Sequence, residues 1–366
     1  MDKIHENPKN NTLTLIESGK VNFVVSTSAK GRLPERDSVK IRRKTVERSV
    51  PCFTSIDTAN AVINSMKGKY SEQSIEIVDI NNMREEKIAV EFTKMQSLGN
   101  DYIYFDCLDK QIDNPEALAI RLSDRHFGIG ADGAVVIESS KTADAKMRIF
   151  NADGTEGKMG GNAIRCVGKY LYDKGIVPRE DMEIETLSGV KKLKVYTMEG
   201  EVVAAMVDMG KAETKPALVP VVSDKEIVKD EPITVLDREY RVTCVAVGNP
   251  HAVIFTDNLD TVDMEAVGPE FEYHPMFPDR VNLEFVNVID KNTLKMRVWE
   301  RGIGETLACG TGACAAAVAA VLNGYCEKDT DITVKLPGGD LKIRYTDETV
   351  LMTGPAVKSF SGTVSF

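Results

Sequence analysis

The sequence predicts an α+β fold with two pseudo-symmetric lobes, each holding one central helix, and a small α/β unit ahead of them. Three observations carry this. The stretch from Lys146 to Gly175 lies without a gap on Lys295 to Gly324, at an offset of 149 (309 minus 160). Beyond about residue 90 the chain is a succession of short β-like runs with few helices, whereas residues 21–67 alternate apolar runs with helical patterns.

In chain order, VNFVVST reads as a buried strand, KGRLPE as a loop, and DSVKIRRKTVERS as a helix starting at Asp37 or Ser38. PCFTS is a second strand and IDTANAVINSM a second helix. Continuous apolar strands joined by helices imply parallel pairing with both faces covered. So few strands make a thin sheet that leans on something else. The polar stretches KGKYSEQ and NNMREEK put a boundary around residues 82–90, so this unit spans about 1–85. The first lobe then covers 91–205, completed by a C-terminal strand at about 355–366, and the second covers 206–354. AVEFTKM, GAVVIES, VVAAMVDMG, YRVTCVAVG, HAVIFT, NLEFVNVI, LKMRVWE, DLKIRYT and TVLMTG read as strands. Pro115 to Arg125, Ala163 to Lys174 and Thr311 to Asn323 read as helices.

Across the repeat, Lys146, Met147, Arg148, Glu156, Gly161 and Gly175 meet Lys295, Met296, Arg297, Glu305, Gly310 and Gly324. Both copies run strand, loop, glycine turn, helix and closing glycine, which points to a duplicated fold with its site between the lobes. At the same offset Gly160 meets Cys309. Glu156 and Glu305 suit a helix-entry hydrogen bond or a lobe contact.

The 366 residues are 42% hydrophobic and 28% charged, an ordinary composition for a chain of two or three domains. A net charge of -10 argues against a nucleic-acid partner, because phosphate backbones select basic faces. Seven scattered cysteines fit a reducing compartment better than a disulfide framework. With no signal pattern at the N-terminus and no long apolar run, the expectation is a cytoplasmic protein without membrane contact. Cys309 and Cys314 have no second Cys or His pair at ligand spacing nearby, so no metal is expected.

A helix N-terminus exposes unpaired N–H groups and partial positive charge, so the two termini GGNA and CGTGA would together hold a carboxylate. Gly161 and Gly310 would let the ligand approach the backbone. A thiol just before such a terminus should have a lowered pKa, which suits Cys309 to proton abstraction from a weak carbon acid. Inverting a carbon centre needs a base on one face and an acid on the other. Position 160 is where the second thiol belongs.

The stretches FTKMQSLGNDYIYFD, DRHFGIGADGAVVIE, FNADGTEGKMGGNAIRC, VGNPHAVIF, RVNLEFV and WERGIGETLACGTGACA together resemble the diaminopimelate epimerase family, in motif order, from about residue 91 to the C-terminus. The resemblance implies a cofactor-free, two-cysteine epimerase that interconverts LL- and meso-diaminopimelate for lysine and peptidoglycan synthesis. By motif, Cys309 is one acid/base, and Asn100, Asn151, Asn249, Asn282, Glu300 and Arg301 grip the substrate. Arg301 suits a bidentate hold on the distal carboxylate and Glu300 the distal ammonium. Gly161, Asn162, Gly310 and Thr311 would offer N–H groups to the reacting carboxylate.

The departure is at Gly160, where the family pattern C-G-N reads GGN. Cys166 does not replace it, because six residues along a helix is about 9 Å; it reads as a buried helix thiol. Three accounts of Gly160 stay open: an engineered replacement, a natural homologue that has lost epimerisation, or single-base chemistry. Survival of every other substrate group favours the first. Gly133 stands where some members have a larger polar residue, which would alter that edge of the pocket. Asn100 and Asn151 taken singly are turn formers, and His251 reads as a satisfied histidine after Asn-Pro.

VNFVVSTSAKG and DSVKIRRKTVERSVPCFTSIDTANAVINSM are similar to part of the methylglyoxal-synthase-like domain of carbamoyl-phosphate synthase large subunits, without its main phosphate loop. Lys40, Arg42 and Arg43 read as a solvated helix face, and the unit as a structural or oligomerisation appendage. The partner expected is diaminopimelate itself, with a homodimer allowed. Related racemases and phenazine-type isomerases, or a non-catalytic binding or regulatory homologue, are the alternatives.

Overall fold

The computed structural model describes residues 11–27, 37–67 and 89–365. It divides into two units, Met1–Glu86 and Lys87–Phe366. The loop expected at 30–35 and most of the polar boundary, residues 68–88, lie outside the described residues.

In the small unit, α1 (Thr12–Glu17), β1 (Val24–Val25), α2 (Asp37–Glu47), β2 (Cys52–Phe53) and α3 (Ile56–Lys67) follow one another. β1 and β2 pair in parallel, Val24 with Cys52 and Val25 with Phe53. The expected buried strand VNFVVST is therefore only two residues long, and Val25 is 43% exposed, because a ribbon of two short strands has little sheet face to bury. α1 is an addition to the predicted elements. Its start is fixed by Asn11, whose side chain accepts from the Leu13 and Thr14 N–H groups while the Thr14 hydroxyl accepts from the Asn11 N–H.

The large unit is a strand system repeated once. In the first lobe β3 (Ala89–Ser97) pairs antiparallel with β4 (Asn100–Cys107), and β4 lies parallel to β5 (Gly133–Glu138). β5 is antiparallel to β6 (Ala145–Asn151), β6 parallel to β8 (Asp181–Thr186), and β9 (Gly189–Met198) and β10 (Glu201–Asp208) follow antiparallel. β7 (Glu156–Gly157) folds back on β6. The second lobe repeats the same alternation in β12 (Arg238–Ala246), β13 (Pro250–Phe255), β14 (Asn282–Asp290), β15 (Thr293–Glu300), β17 (Asp331–Leu336), β18 (Gly339–Tyr345) and β19 (Val350–Pro355), with β16 (Gly304–Thr306) folded back on β15.

Two strands cross between lobes. β11 (Glu231–Val235) follows β10 but pairs with β12, and β20 (Val357–Ser365) follows β19 but returns to β3, with Ser365 opposite Ala89. β10 and β19 pair directly, joining the lobes.

Each lobe encloses a helix, α5 (Gly161–Asp173) or α7 (Gly310–Leu322). In α7 every residue from Ala313 to Ala320 is at most 1% exposed, as an all-apolar helix surrounded by strands requires. Both helices end alike: Gly175 and Gly324 adopt φ of 69° and 79°, and the next residue's N–H returns to the carbonyl of Leu171 or Ala320. That left-handed stop accounts for the repeated closing glycine. α4 (Pro115–Ser123) starts from an Asn114 cap and ends two residues short of the predicted Arg125. α6 (Met264–Glu272) was not among the predicted helices, because its internal Gly268-Pro269 reads as a break.

Candidate functional site

The 149-residue relation holds residue by residue across the two lobes. Tyr102 pairs with Gly133 and Gly133 with Asn151; at the same offset His251 pairs with Asn282, and Glu300 lies one step beyond the Leu283–Trp299 pair. Asn100 and Asn249 are likewise equivalent, as are Gly160 and Cys309, Gly161 and Gly310, and Asn162 and Thr311. One lobe presents Asn151, Tyr102 and Gly160 where the other presents Glu300, His251 and Cys309.

The two helix starts meet at Met352. A Cβ on Gly161 would lie 2.7 Å from its Cε, and one on Gly310 would lie 3.0 Å from its Sδ and 3.9 Å from Asn162 Oδ1. A side chain at either glycine would therefore have to displace the end of the Met352 side chain.

Gly160 and Cys309 are the N-caps. Gly160 has φ -130°, ψ 113° and Cys309 has φ -115°, ψ 112°, both extended backbone open to any residue. The Cys309 thiol accepts from the Gly312 N–H at 3.4 Å and lies 3.5 Å from the Thr311 hydroxyl. At 6% exposure it sits in the core, and burial, then Glu300 and Glu284, hold its pKa well above the ordinary thiol value. This corrects the sequence expectation of a lowered pKa: the helix terminus favours the thiolate, but desolvation and two carboxylates outweigh it.

Glu300 is raised as well, chiefly by burial, and its Oε1 accepts from the Thr306 hydroxyl at 2.5 Å. His251 is fully buried, Nδ1 2.6 Å from Glu284 Oε1 and Nε2 2.9 Å from Asn249 Oδ1. Glu284 was absent from the sequence reading, although a charge inside the apolar run NLEFV was its signal. Its Oε2 is buried without a hydrogen-bond partner. Asn282 donates to the Pro250 carbonyl at 3.0 Å and accepts from the Arg301 N–H at 2.9 Å, so it fixes the strand end that carries Glu300. Arg301 is exposed and donates to the Asp279 carbonyl.

In the first lobe, Asn162 Nδ2 donates to Asn100 Oδ1 at 3.3 Å, and Asn100 Nδ2 to Asp132 Oδ2 at 2.8 Å. Burial pushes the Tyr102 hydroxyl up to about 12. Asn151 is exposed and closes its own turn through Thr155 Oγ1 at 2.9 Å. Gly133 has no room for the larger residue considered from sequence: a Cβ there would be 2.0 Å from the Phe150 carbonyl oxygen and 2.9 Å from the Tyr102 ring. Cys166, 1% exposed, is a core thiol with a raised pKa. Glu156 and Glu305 take neither expected part; they clamp Arg148 and Arg297 bidentately across the β6–β7 and β15–β16 hairpins. Two surface concavities, about 530 and 360 Å³, are lined by other residues, such as Arg179 and Lys192 in one and Tyr196 and Arg344 in the other.

The diaminopimelate epimerase family profile matches residues 92–215 and 243–359. The chain belongs to this family. A diaminopimelate epimerase of Acetivibrio thermocellus is 55% identical over 275 residues, covering 75% of this chain and 98% of its own. One from Methanococcus maripaludis is 53% identical over 277 residues, covering 75% and 99%. Among solved structures, a PhzF-family phenazine biosynthesis protein of Bacillus anthracis aligns with a TM-score of 0.55 at 16% identity, over 76% of this chain and 99% of its own. A hydroxyproline epimerase of Agrobacterium vitis aligns at 0.54 and 15% identity, over 76% and 91%. These share the fold. The family is an isomerase family, and among the described residues no helix is long and apolar enough to cross a membrane.

Proposed function

We propose that the chain binds diaminopimelate between its lobes and moves the α-proton with Cys309 alone, so that inversion is impaired. The observation carrying this is the N-cap pair: the same backbone and the same helix start bear a thiol in one lobe and a hydrogen atom in the other. Cys309 Sγ removes the α-proton from one face, and the N–H groups of the two helix starts hold the carboxylate as charge develops on it. No acid stands at Gly160 to protonate the opposite face, so the proton returns from the side it left. Asn249, Asn282, Glu300 and Arg301 hold the distal end. Cys309 is kept protonated by burial and then by the field of Glu300 and Glu284, and a substrate ammonium beside Glu300 offsets the second of these. A single replacement accounts for Gly160, because the repeat around it is intact.

The small unit serves as a structural appendage. Two cations of its basic helix pair within the unit, Lys44 with Glu17 at 2.9 Å and Arg43 with Glu47 at 3.3 Å.

The test follows LL-diaminopimelate in deuterated water with the chain as given and with Gly160→Cys. The expected result is α-deuterium with retained configuration in the first and inversion in the second. Absence of both reactions in both proteins sinks the epimerase mechanism and leaves a binding protein.

A further inference from the structure

Arg165 is among the largest fully buried side chains, at 0% exposure, and the groups it donates to are all neutral. Nη2 donates to Ser97 Oγ at 2.6 Å and Asn162 Oδ1 at 2.7 Å, Nη1 to the Gly161 carbonyl at 3.1 Å, and Nε to the Pro355 carbonyl at 3.4 Å, while Met352 Sδ lies 3.6 Å from Nη1. We infer that Arg165 is a positioning residue that gives the cleft its polarity. It fixes the side-chain amide of Asn162, against that of Asn100, so that the remaining Asn162 N–H meets the reacting carboxylate at the first-lobe end. This rests on the diaminopimelate reading above.

A buried guanidinium facing only neutral acceptors is costly, and most such charges are paired. Burial lowers its pKa to about 10, which still leaves it charged at neutral pH. The fold makes room for it: a Cβ on Gly354 would lie 3.0 Å from the guanidinium carbon. The repeat-equivalent residue in the second lobe is Cys314, a buried thiol, so the cation belongs to one end of the cleft only.

The amide chain explains what the charge does. Because Asn162 Oδ1 accepts from Arg165, its NH2 group must face Asn100, and because Asn100 Oδ1 accepts from it, the Asn100 NH2 group must face Asp132. A cation at one end and a carboxylate at the other forbid the flipped arrangement. The Asn162 NH2 group keeps one N–H beyond the chain, whereas Asn100 also bonds the Tyr102 hydroxyl. Asn162 also stands opposite Gly310, where the second helix starts. Pro355, the last residue before the strand crosses back to the first lobe, is held by the same guanidinium and by the Ser97 hydroxyl at 2.7 Å.

The test is calorimetric binding of meso-diaminopimelate to the chain as it stands, with thermal unfolding alongside. Arg165→Lys keeps the charge but lacks the fork that reaches Ser97 and Asn162 together. It should bind at least about ten-fold more weakly, as loss of a charged hydrogen bond implies. Asn162→Ala should lose a similar factor, and the double variant no more than about two-fold beyond Asn162→Ala, since the effect runs through that amide. Unchanged affinity in Arg165→Lys, or losses that multiply, overturns the inference. Should Arg165→Lys not fold, Ser97→Ala replaces it in the same cycle, with the same two readings. If the unchanged chain binds no diaminopimelate, the functional reading has failed on its own account. Arg165 is then judged in the ligand-free protein from the side-chain amide resonances of Asn162 and Asn100, which shift in Arg165→Lys if it orients them and stay in place if it does not.

Discussion

Gly160 and Cys309 cap equivalent helices with backbone angles that differ by 15° in φ and 1° in ψ, from -130° and 113° to -115° and 112°. Glycine at 160 is therefore not a conformational requirement, and a side chain there meets the flexible tip of Ile149, 2.8 Å from the Cβ position, and the Ala163 Cβ at 3.4 Å.

Gly160→Ala and Gly160→Cys should accordingly fold as stably as the parent, within about 1 kcal/mol, and a gain through the unfolded chain is expected if Ile149 shifts. Denaturant midpoints check this. A loss above about 2 kcal/mol would show that the cap needs glycine after all.

Gly268→Ala should behave oppositely. Its Cβ would fall 2.3 Å from Trp299, whose indole N–H donates to Glu272 at 2.9 Å, so neither ring nor helix can give way freely. A loss of about 1–3 kcal/mol is expected from overpacking. Equal midpoints for parent and variant would contradict the packing described.

Cys309 should resist alkylation at pH 8 in the ligand-free protein, because burial and the neighbouring carboxylates keep the thiol protonated. The rate should climb with pH, and denaturation should abolish the difference from an ordinary thiol. Mass spectrometry after timed iodoacetamide treatment reads this; fast labelling at pH 7 would contradict it.

Stability should fall on the alkaline side. Burial raises the Cys314 thiol from its ordinary value of 9 to about 12, so between these limits the unfolded chain loses a proton that the folded chain keeps. The contribution is intact below pH 9 and is lost as pH rises toward 12, on the order of a few kcal/mol. Cys314→Ala should flatten that part of the profile, measured by chemical unfolding from pH 8 to 11.

The paired clamps should prove equivalent. Glu156→Gln and Glu305→Gln each break one of two matched bidentate pairs, with Nε–Oε1 at 2.7 Å in both, and each should cost about 1 kcal/mol. Thermal unfolding of the two variants tests whether the lobes share this device equally.

The repeat made much of this legible. Arg148, Glu156, Gly161 and Gly175 recur because the clamp, the helix start and the left-handed stop are each needed in both lobes. Family motifs also pointed to Cys309, Glu300 and Asn282. What stayed hidden depended on three-dimensional neighbours: the thiol's raised pKa comes from burial first and then from Glu300 and Glu284, and the end of the Met352 side chain lies against the glycines at 161 and 310. Helix α6 escaped because Gly-Pro is locally a break, whereas the Asp263 cap and the burial of Met264, Val267, Gly268 and Phe271 support it in the fold. Arg165 was visible as a charge within AIRCV, but nothing local said that its partners would be neutral.

The returning strand β20 sets an order of events during synthesis. Its residues follow the whole second lobe in the chain, yet they supply the neighbour of β3, the first strand of the large unit, through pairs such as Ser365 with Ala89. The first lobe therefore waits, with an open sheet edge, until the second has been made, and any chain stopped before residue 357 presents that edge to other proteins. Emergence of β20 is what turns two half-built lobes into one molecule.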